Sequence, residues 1–318
     1  MQSKVALFQA LSDPTRLRIL QLLREMELAV GEVAQVLAQS QPGISKHVKI
    51  LLDCGLLTRR KEGNWVFLSL GEPELVQPVF ALLERWGEVL GRSPWIAADA
   101  ARLAAIKAER AEEAARYFAA HAGEWDKLRS LHVPVAKVDA AILRALGNKA
   151  PGRLVDLGSG TGTMLRLFAD KASHMIGIDR SPEMLRYARA MLAEEGIGNA
   201  ELRQGDIVGL DLPSGSADTV ILHQVLHYAQ HPAAFIGEAA RLLAPDGRLL
   251  VVDVARHDLE ELRKSHAHAR LGFSDEEVLA WLRAAGLKGE VVDHLDGGEL
   301  TVTIWFARPD KKLLRAVA

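Results

Sequence analysis

Apolar residues recur at helical spacing through residues 4–24, and the period breaks at Asp13-Pro14, where proline fits a helix start. Two short helical stretches follow, Gly31–Ala38 and Gly43–Asp53, around a turn at Gln39–Pro42. Leu56–Arg60 and Trp65–Leu70 alternate like strands across Lys61-Glu62-Gly63-Asn64, and Glu74–Leu90 is again amphipathic. Gly91–Pro94 breaks that helix. From Ile96 to Ala120 the chain is rich in Ala, Glu, Arg and Lys, which predicts a connecting helix. Beyond residue 150 the pattern changes to short apolar strands separated by helical stretches. The strands fall near 154–157, 175–178, 200–203, 218–222, 248–253, 289–293 and 300–306. That alternation predicts a doubly wound sheet. The division expected is residues 1–92, then linker and lid helices over 93–150, then 151–310.

Composition changes this picture little. At 318 residues the chain is long enough for two cores. A net charge of −2 gives no global sign of nucleic acid, so any basic face must be local. No apolar run reaches membrane-spanning length, and no signal-peptide pattern opens the chain. The single cysteine, Cys54, excludes an intramolecular disulfide. The expected compartment is the cytoplasm.

The chemistry concentrates in Leu154-Val-Asp-Leu-Gly-Ser-Gly-Thr-Gly162. Gly158, Gly160 and Gly162 let a ligand approach the backbone, and a helix follows from about Thr163. Asp179 ends the next strand, 21 residues after Gly158. At that spacing a doubly wound sheet puts an acid on ribose hydroxyls. The Gly-x-Gly-x-Gly spacing beside Asp156 disfavours a pyrophosphate and suits a cationic amino-acid end. The stretch resembles the class I S-adenosylmethionine (SAM)-dependent methyltransferases, over roughly residues 110–308. The resemblance implies a Rossmann-like domain in which Asp156, Gly158, Ser159, Gly160 and Gly162 hold the methionine part. It further implies Asp179 on the ribose, with Arg180, Ser181 and Met184 at the ribose and adenine edge. Gly205, Asp206 and Ile207 would meet the adenine. The implied ligand is SAM or its product, S-adenosylhomocysteine (SAH).

Helix, helix-turn-helix and a β-wing, in that order, make the N-terminal module a winged helix. Its segments Ala10–Leu20 and Ser40–Leu51 resemble the core and recognition helices of the ArsR/SmtB repressors. Between residues 41 and 61, five basic residues (Lys46, Lys49, Arg59, Arg60, Lys61) face one acid, Asp53. That local charge suits phosphate contact. Gln41, Ser45, Lys46 and His47 occupy positions that reach base edges in helix-turn-helix geometry, while Ile44, Val48 and Leu51 belong to the module's own core. Family members bind duplex operators as dimers, and Leu75–Leu90 resembles their pairing helix. The alternative is a winged helix used for protein contacts. No cysteine pair stands at Glu27–Val33, so thiol-based metal sensing is not expected, and Cys54 reads as a core residue.

After the fourth strand of the second module come His223, His227 and His231. His223 is the candidate group near the transferring methyl. The spacing of the three invites a metal reading, but Pro232 and the lack of a suitably placed acid argue against it, and no metal is expected. After the fifth strand, His257, Arg263, His266 and His268 suggest an anionic acceptor or effector pocket, to which His227 and the lid residue Trp125 would contribute. A solvated helix-and-loop surface accounts for the same residues. Two readings of the whole chain stand: a transcriptional regulator that senses SAM or SAH, and a small-molecule methyltransferase with an appended DNA-binding domain that controls its own expression. A nucleic-acid methyltransferase is disfavoured, because no Asn/Asp-Pro-Pro-Tyr-type motif is present.

Overall fold

A computed structural model describes residues 4–62, 65–90, 95–121, 133–297 and 299–310. The chain forms two compact units, Met1–Glu112 and Glu113–Ala318.

The first unit opens with helices Lys4–Leu11 and Pro14–Glu25. Asp13 starts the second, its carboxylate accepting from the Thr15 and Arg16 N–H groups. A two-residue strand β1, Leu28–Ala29, follows and pairs antiparallel with residues Phe67 and Leu68. Nothing in its periodicity announces so short an element. Helix Val30–Leu37 ends at Ala38, which is left-handed with φ 52°. The expected recognition helix runs Gln41–Asp53 and starts two residues earlier than Gly43. Ser40 Oγ accepts from the Gly43 N–H, and Pro42 tolerates the first turn because its missing N–H has no intrahelical partner there. Strands β2 (Leu57–Glu62) and β3 (Trp65–Leu70) make the wing, and helix Pro73–Leu90 follows. The core expectation holds: Ile44, Val48 and Leu51 are buried with Ile19, Leu20, Val33 and Leu68. Cys54 is buried there too, and burial raises its thiol pKa. The following helix, Trp95–His121, starts inside this unit, with Leu103 and Ile106 in the same core. The unit therefore extends past residue 92, where the linker was expected to begin.

The second unit is built on a seven-stranded sheet in the order β6-β5-β4-β7-β8-β10-β9. Its strands are β4 Gly152–Leu157, β5 Ala172–Asp179, β6 Ala200–Gln204, β7 Ala217–His223, β8 Leu243–Val254, β9 Leu287–Asp296 and β10 Thr301–Pro309. The five strands from β6 to β8 pair in parallel, and β10 is inserted antiparallel between β8 and β9. Each expected strand is present. Helix Val135–Leu146, expected among linker and lid helices, instead joins the sheet's core through Val138 and Ile142 beside Leu154. The chain enters at β4, builds outward through β5 and β6, then returns to β7 on the other side of β4. Ligands of open α/β sheets bind beyond the carboxyl ends of the strands at such a reversal.

Candidate functional site

The carboxyl ends of β4, β5, β6 and β7 surround one cavity. Its lining includes Asp156, Gly158, Ser159, Gly160, Asp179, Arg180, Met184, Asp206, Ile207 and His223. All ten are residues the sequence points to. The glycine loop is drawn over β5 by the Gly158 and Ser159 N–H groups, which donate to Ile178 O at 2.8 and 2.9 Å. Gly158 has φ 80°, and a Cβ there would come within 2.4 Å of Val225 Cγ2. Glycine at 158 is thus required by both backbone and space.

Asp179 is tied into the loop it faces. Its Oδ2 accepts from the Gly160 N–H and its Oδ1 from the Ser181 N–H, each at 2.8 Å. Burial raises the Asp179 pKa above the ordinary aspartate value, against the lowering effect of these donors and of Arg180. Asp156 is 1% exposed at the base of the loop, and Asp206 is exposed, accepting from the Val208 N–H at 3.1 Å. The Ser159 hydroxyl is buried against the cavity with no hydrogen-bond partner among the described residues. Three carboxylates, an unused hydroxyl and a loop that tolerates no Cβ fit an adenosyl amino acid: ribose hydroxyls for one acid, amines for the others.

Three expected residues act from behind the wall. Gly162 has φ 80° at the start of helix Thr163–Leu167, and a Cβ there would lie 3.3 Å from Ala188 Cβ. Ser181 caps helix Pro182–Glu194 by accepting from the Met184 N–H. Gly205 donates its N–H to Asp179 O at 3.0 Å. Sequence reasoning misses Thr163, Met164, Gln224, Val225, Tyr228 and Phe235, which also line the cavity. Gln224 has φ 51°, a strained value for a residue with a side chain, and turns the chain sharply off the end of β7.

Residues 223–231 do not form the continuous helix that would align three histidines. His223 ends β7, a 3-10 turn spans Leu226–Tyr228, and the next helix starts at Pro232. Among the described residues no group of three His, Cys, Asp or Glu is placed to hold a metal ion. His227 instead pairs with Asp253, Nδ1 to Oδ1 at 2.6 Å. Asp253 is fully buried and also accepts from the Leu226 and Val254 N–H groups. The histidines expected in an acceptor pocket do converge. The His268 ring lies 4.2 Å from His227 and 6.4 Å from both His257 and His266. Arg263 donates to Ala269 O at 2.6 Å in the same segment. Tyr228 touches this cluster and also lines the cavity. Trp125 lies outside the described residues.

On the first unit, Gln41, Ser45, Lys46 and Lys49 are exposed along one helix, and Arg59 and Lys61 are exposed on β2. Arg60 departs from the expectation. Strand alternation turns it to the other face, where it meets Glu27 Oε2 at 3.3 Å and lies over the Phe67 ring. His47 is half-buried, with Nδ1 3.5 Å from Asp13 Oδ1.

Comparison with known proteins follows the same division. Residues 13–59 match the family model for bacterial regulatory proteins of the arsR family, and residues 148–292 match a methyltransferase domain model. The arsenic resistance transcriptional regulator ArsR1 of Pseudomonas putida is 43% identical over 98 residues, which are 30% of this chain and 74% of that protein. The chain belongs to the ArsR family, with a class I SAM-methyltransferase domain fused to it. For that second domain, the uncharacterized methyltransferase YcgJ of Bacillus subtilis is 31% identical over 105 residues, 33% of this chain and 42% of that protein. The match thus spans less than half of that methyltransferase relative's length. A chain from the complex of the Haloferax volcanii Trm112 methyltransferase activator with the putative methyltransferase shares the fold, at TM-score 0.50 and 24% identity, covering 61% of this chain and 98% of that one. Among the described residues no helix is long and apolar enough to cross a membrane.

Proposed function

We propose that this ArsR-family chain is a cytoplasmic transcriptional regulator that binds duplex operator DNA as a homodimer and senses SAM or SAH in its methyltransferase domain. The observation that carries the reading is the pairing, in one chain, of an exposed basic helix and wing with a glycine-loop cavity that presents Asp156, Asp179 and Asp206. Asp179 takes the ribose hydroxyls, Asp206 the adenine amine and Asp156 the amino-acid end. Lys46, Lys49, Arg59 and Lys61 meet phosphates, and Gln41 and Ser45 meet base edges. Dimerisation is supported by large apolar side chains left open on the first unit, the most exposed being Val5 at 64%, Phe8 at 65% and Trp86 at 50% among the described residues. Isolated apolar residues on a surface are ordinary. Val5 and Phe8 are adjacent on one helix face, three residues apart, and that arrangement suits burial against a second copy.

A second reading, a working methyltransferase with an autoregulatory DNA-binding domain, is favoured by His223, which is buried at the cavity wall where the methyl would transfer. Titrating a duplex selected from a random pool with the full chain, in the presence of SAM, SAH or neither, separates the two. Sensing requires that the nucleosides change duplex affinity, because a ligand shifts an equilibrium only through differential affinity for its states. Equal affinity in all three conditions, with SAH released from SAM when acceptors are supplied, would establish the enzyme reading instead.

A further inference from the structure

Helix Trp95–His121 begins inside the winged-helix unit and continues beyond Glu112, where that unit ends. Its one buried carboxylate among the described residues of the first unit is Asp99, at 4% exposure. Asp99 accepts two hydrogen bonds from Arg18, Nε and Nη2 each at 2.7 Å, a bidentate pair with helix Pro14–Glu25. It also accepts from Arg102 at 3.2 Å. Both guanidiniums reach one further place. Arg102 donates to Val36 O at 3.1 Å, and Arg18 donates to Leu37 O at 3.4 Å. Those are the last carbonyls of helix Val30–Leu37, the negative end of its dipole. Four residues after Leu37, Gln41 starts the recognition helix.

We propose that Asp99 is the anchor through which nucleoside binding is felt by the recognition helix. The proposal rests on the sensing reading above. A carboxylate needed only to hold the helix in place would be satisfied by one arginine. Here it fixes two, and in each the nitrogen that binds Asp99, Arg18 Nη2 or Arg102 Nη1, also donates to the helix end that positions the DNA reader. A shift of the connecting helix along its axis therefore cannot occur without moving the Val36 and Leu37 carbonyls or breaking charge-assisted bonds. Apolar packing at Leu103 and Ile106 carries no such directional constraint, since dispersion contacts slide. The anchor is thus a positioning device.

The test uses the full chain, SAH as the nucleoside, and a fluorescent duplex selected from a random pool. Wild-type protein is expected to change duplex affinity by roughly 5- to 150-fold between SAH-saturated and SAH-free states. Asp99→Asn keeps the shape and removes the charge. Arg102→Gln, at a side chain 45% exposed, removes the guanidinium's bonds to Asp99 and Val36 O with little risk to folding. Both are expected to keep SAH affinity and SAH-free duplex affinity within about threefold of wild type while the SAH-dependent ratio falls toward one. A wild-type response that Arg102→Gln and a folded Asp99→Asn both retain would overturn the anchor alone. A wild-type ratio of one would overturn the sensing reading, and the anchor with it.

Discussion

Gly160 donates its backbone N–H to Asp179 Oδ2 at 2.8 Å, so the acid at the end of β5 is joined directly to the glycine loop at the end of β4. The same carboxylate holds the Ser181 N–H through its other oxygen. The loop's geometry therefore depends on the carboxylate proposed to take the ribose hydroxyls. Asp179→Ala is expected to weaken SAH binding by about 1–3 kcal/mol, the range for losing hydrogen bonds to a charged group. Calorimetry on the purified variant reads it directly, and unchanged affinity would remove Asp179 from the site.

The Asp179 carboxyl also sets an expected pH dependence. Burial raises its pKa above that of the unfolded chain, so the native state holds this proton more tightly. Its contribution to stability is therefore greatest below the ordinary aspartate value and declines as pH rises through the raised one. Nucleoside binding runs the other way, because the ionised form is the better acceptor for two hydroxyls. SAH affinity should fall as pH drops through the raised value, at a higher pH than an ordinary aspartate would give. Affinity measured across the acidic range should lose this limb in Asp179→Asn.

Gly158 and Val225 form a second coupled pair. A Cβ at 158 would meet Val225 Cγ2 at 2.4 Å on a backbone with φ 80°. Gly158→Ala should destabilise the second unit by about 1–3 kcal/mol through strain and overlap. Denaturant melts of Gly158→Ala with and without Val225→Ala divide the two causes. The double variant should recover the overlap part and keep the strain part. Full recovery would mean the backbone conformation is not strained.

The wing separates cations that sequence alone treats alike. Lys46→Ala and Arg59→Ala should each make the salt dependence of duplex binding shallower by about one unit. Arg60→Ala should leave that slope unchanged and lower stability, since Arg60 pairs with Glu27 and covers Phe67. A slope change in Arg60→Ala would show that its side chain leaves Glu27 for DNA.

The buried pair His227–Asp253 makes a stability claim. Asp253→Ala strands the Leu226 and Val254 N–H groups and the His227 ring, so a loss of about 3 kcal/mol is expected. Thermal unfolding of the variant measures it. A loss under about 1 kcal/mol would mean that water or a rotated ring replaces the carboxylate.

The inner strands β4, β5, β7 and β8 are legible because each carries an apolar run, β9 because it alternates, and the glycine loop because its spacing has few uses. The site's far wall is not. Gln224, Val225 and Tyr228 reach the cavity only because the chain leaves β7 through a left-handed residue and a 3-10 turn, and helical periodicity reads that stretch wrongly. Phe235 arrives from the next helix, a tertiary placement with no local signature. Arg60 departs from the basic patch for a simpler reason. Three consecutive basic residues look like one patch, but on a strand the middle one faces the opposite way. Composition reads the Ala-rich stretch as a linker, whereas Asp99 ties its first turns into the winged helix.

The central claim is that one chain couples a nucleoside cavity to a DNA reader, and linkage makes it testable from the nucleoside side. Titrating SAH into the full chain, alone and saturated with its selected duplex, should give affinities that differ by roughly 5- to 150-fold. That factor must equal the change in duplex affinity caused by SAH, because coupling free energy is reciprocal. Identical SAH affinities with and without duplex would contradict the account.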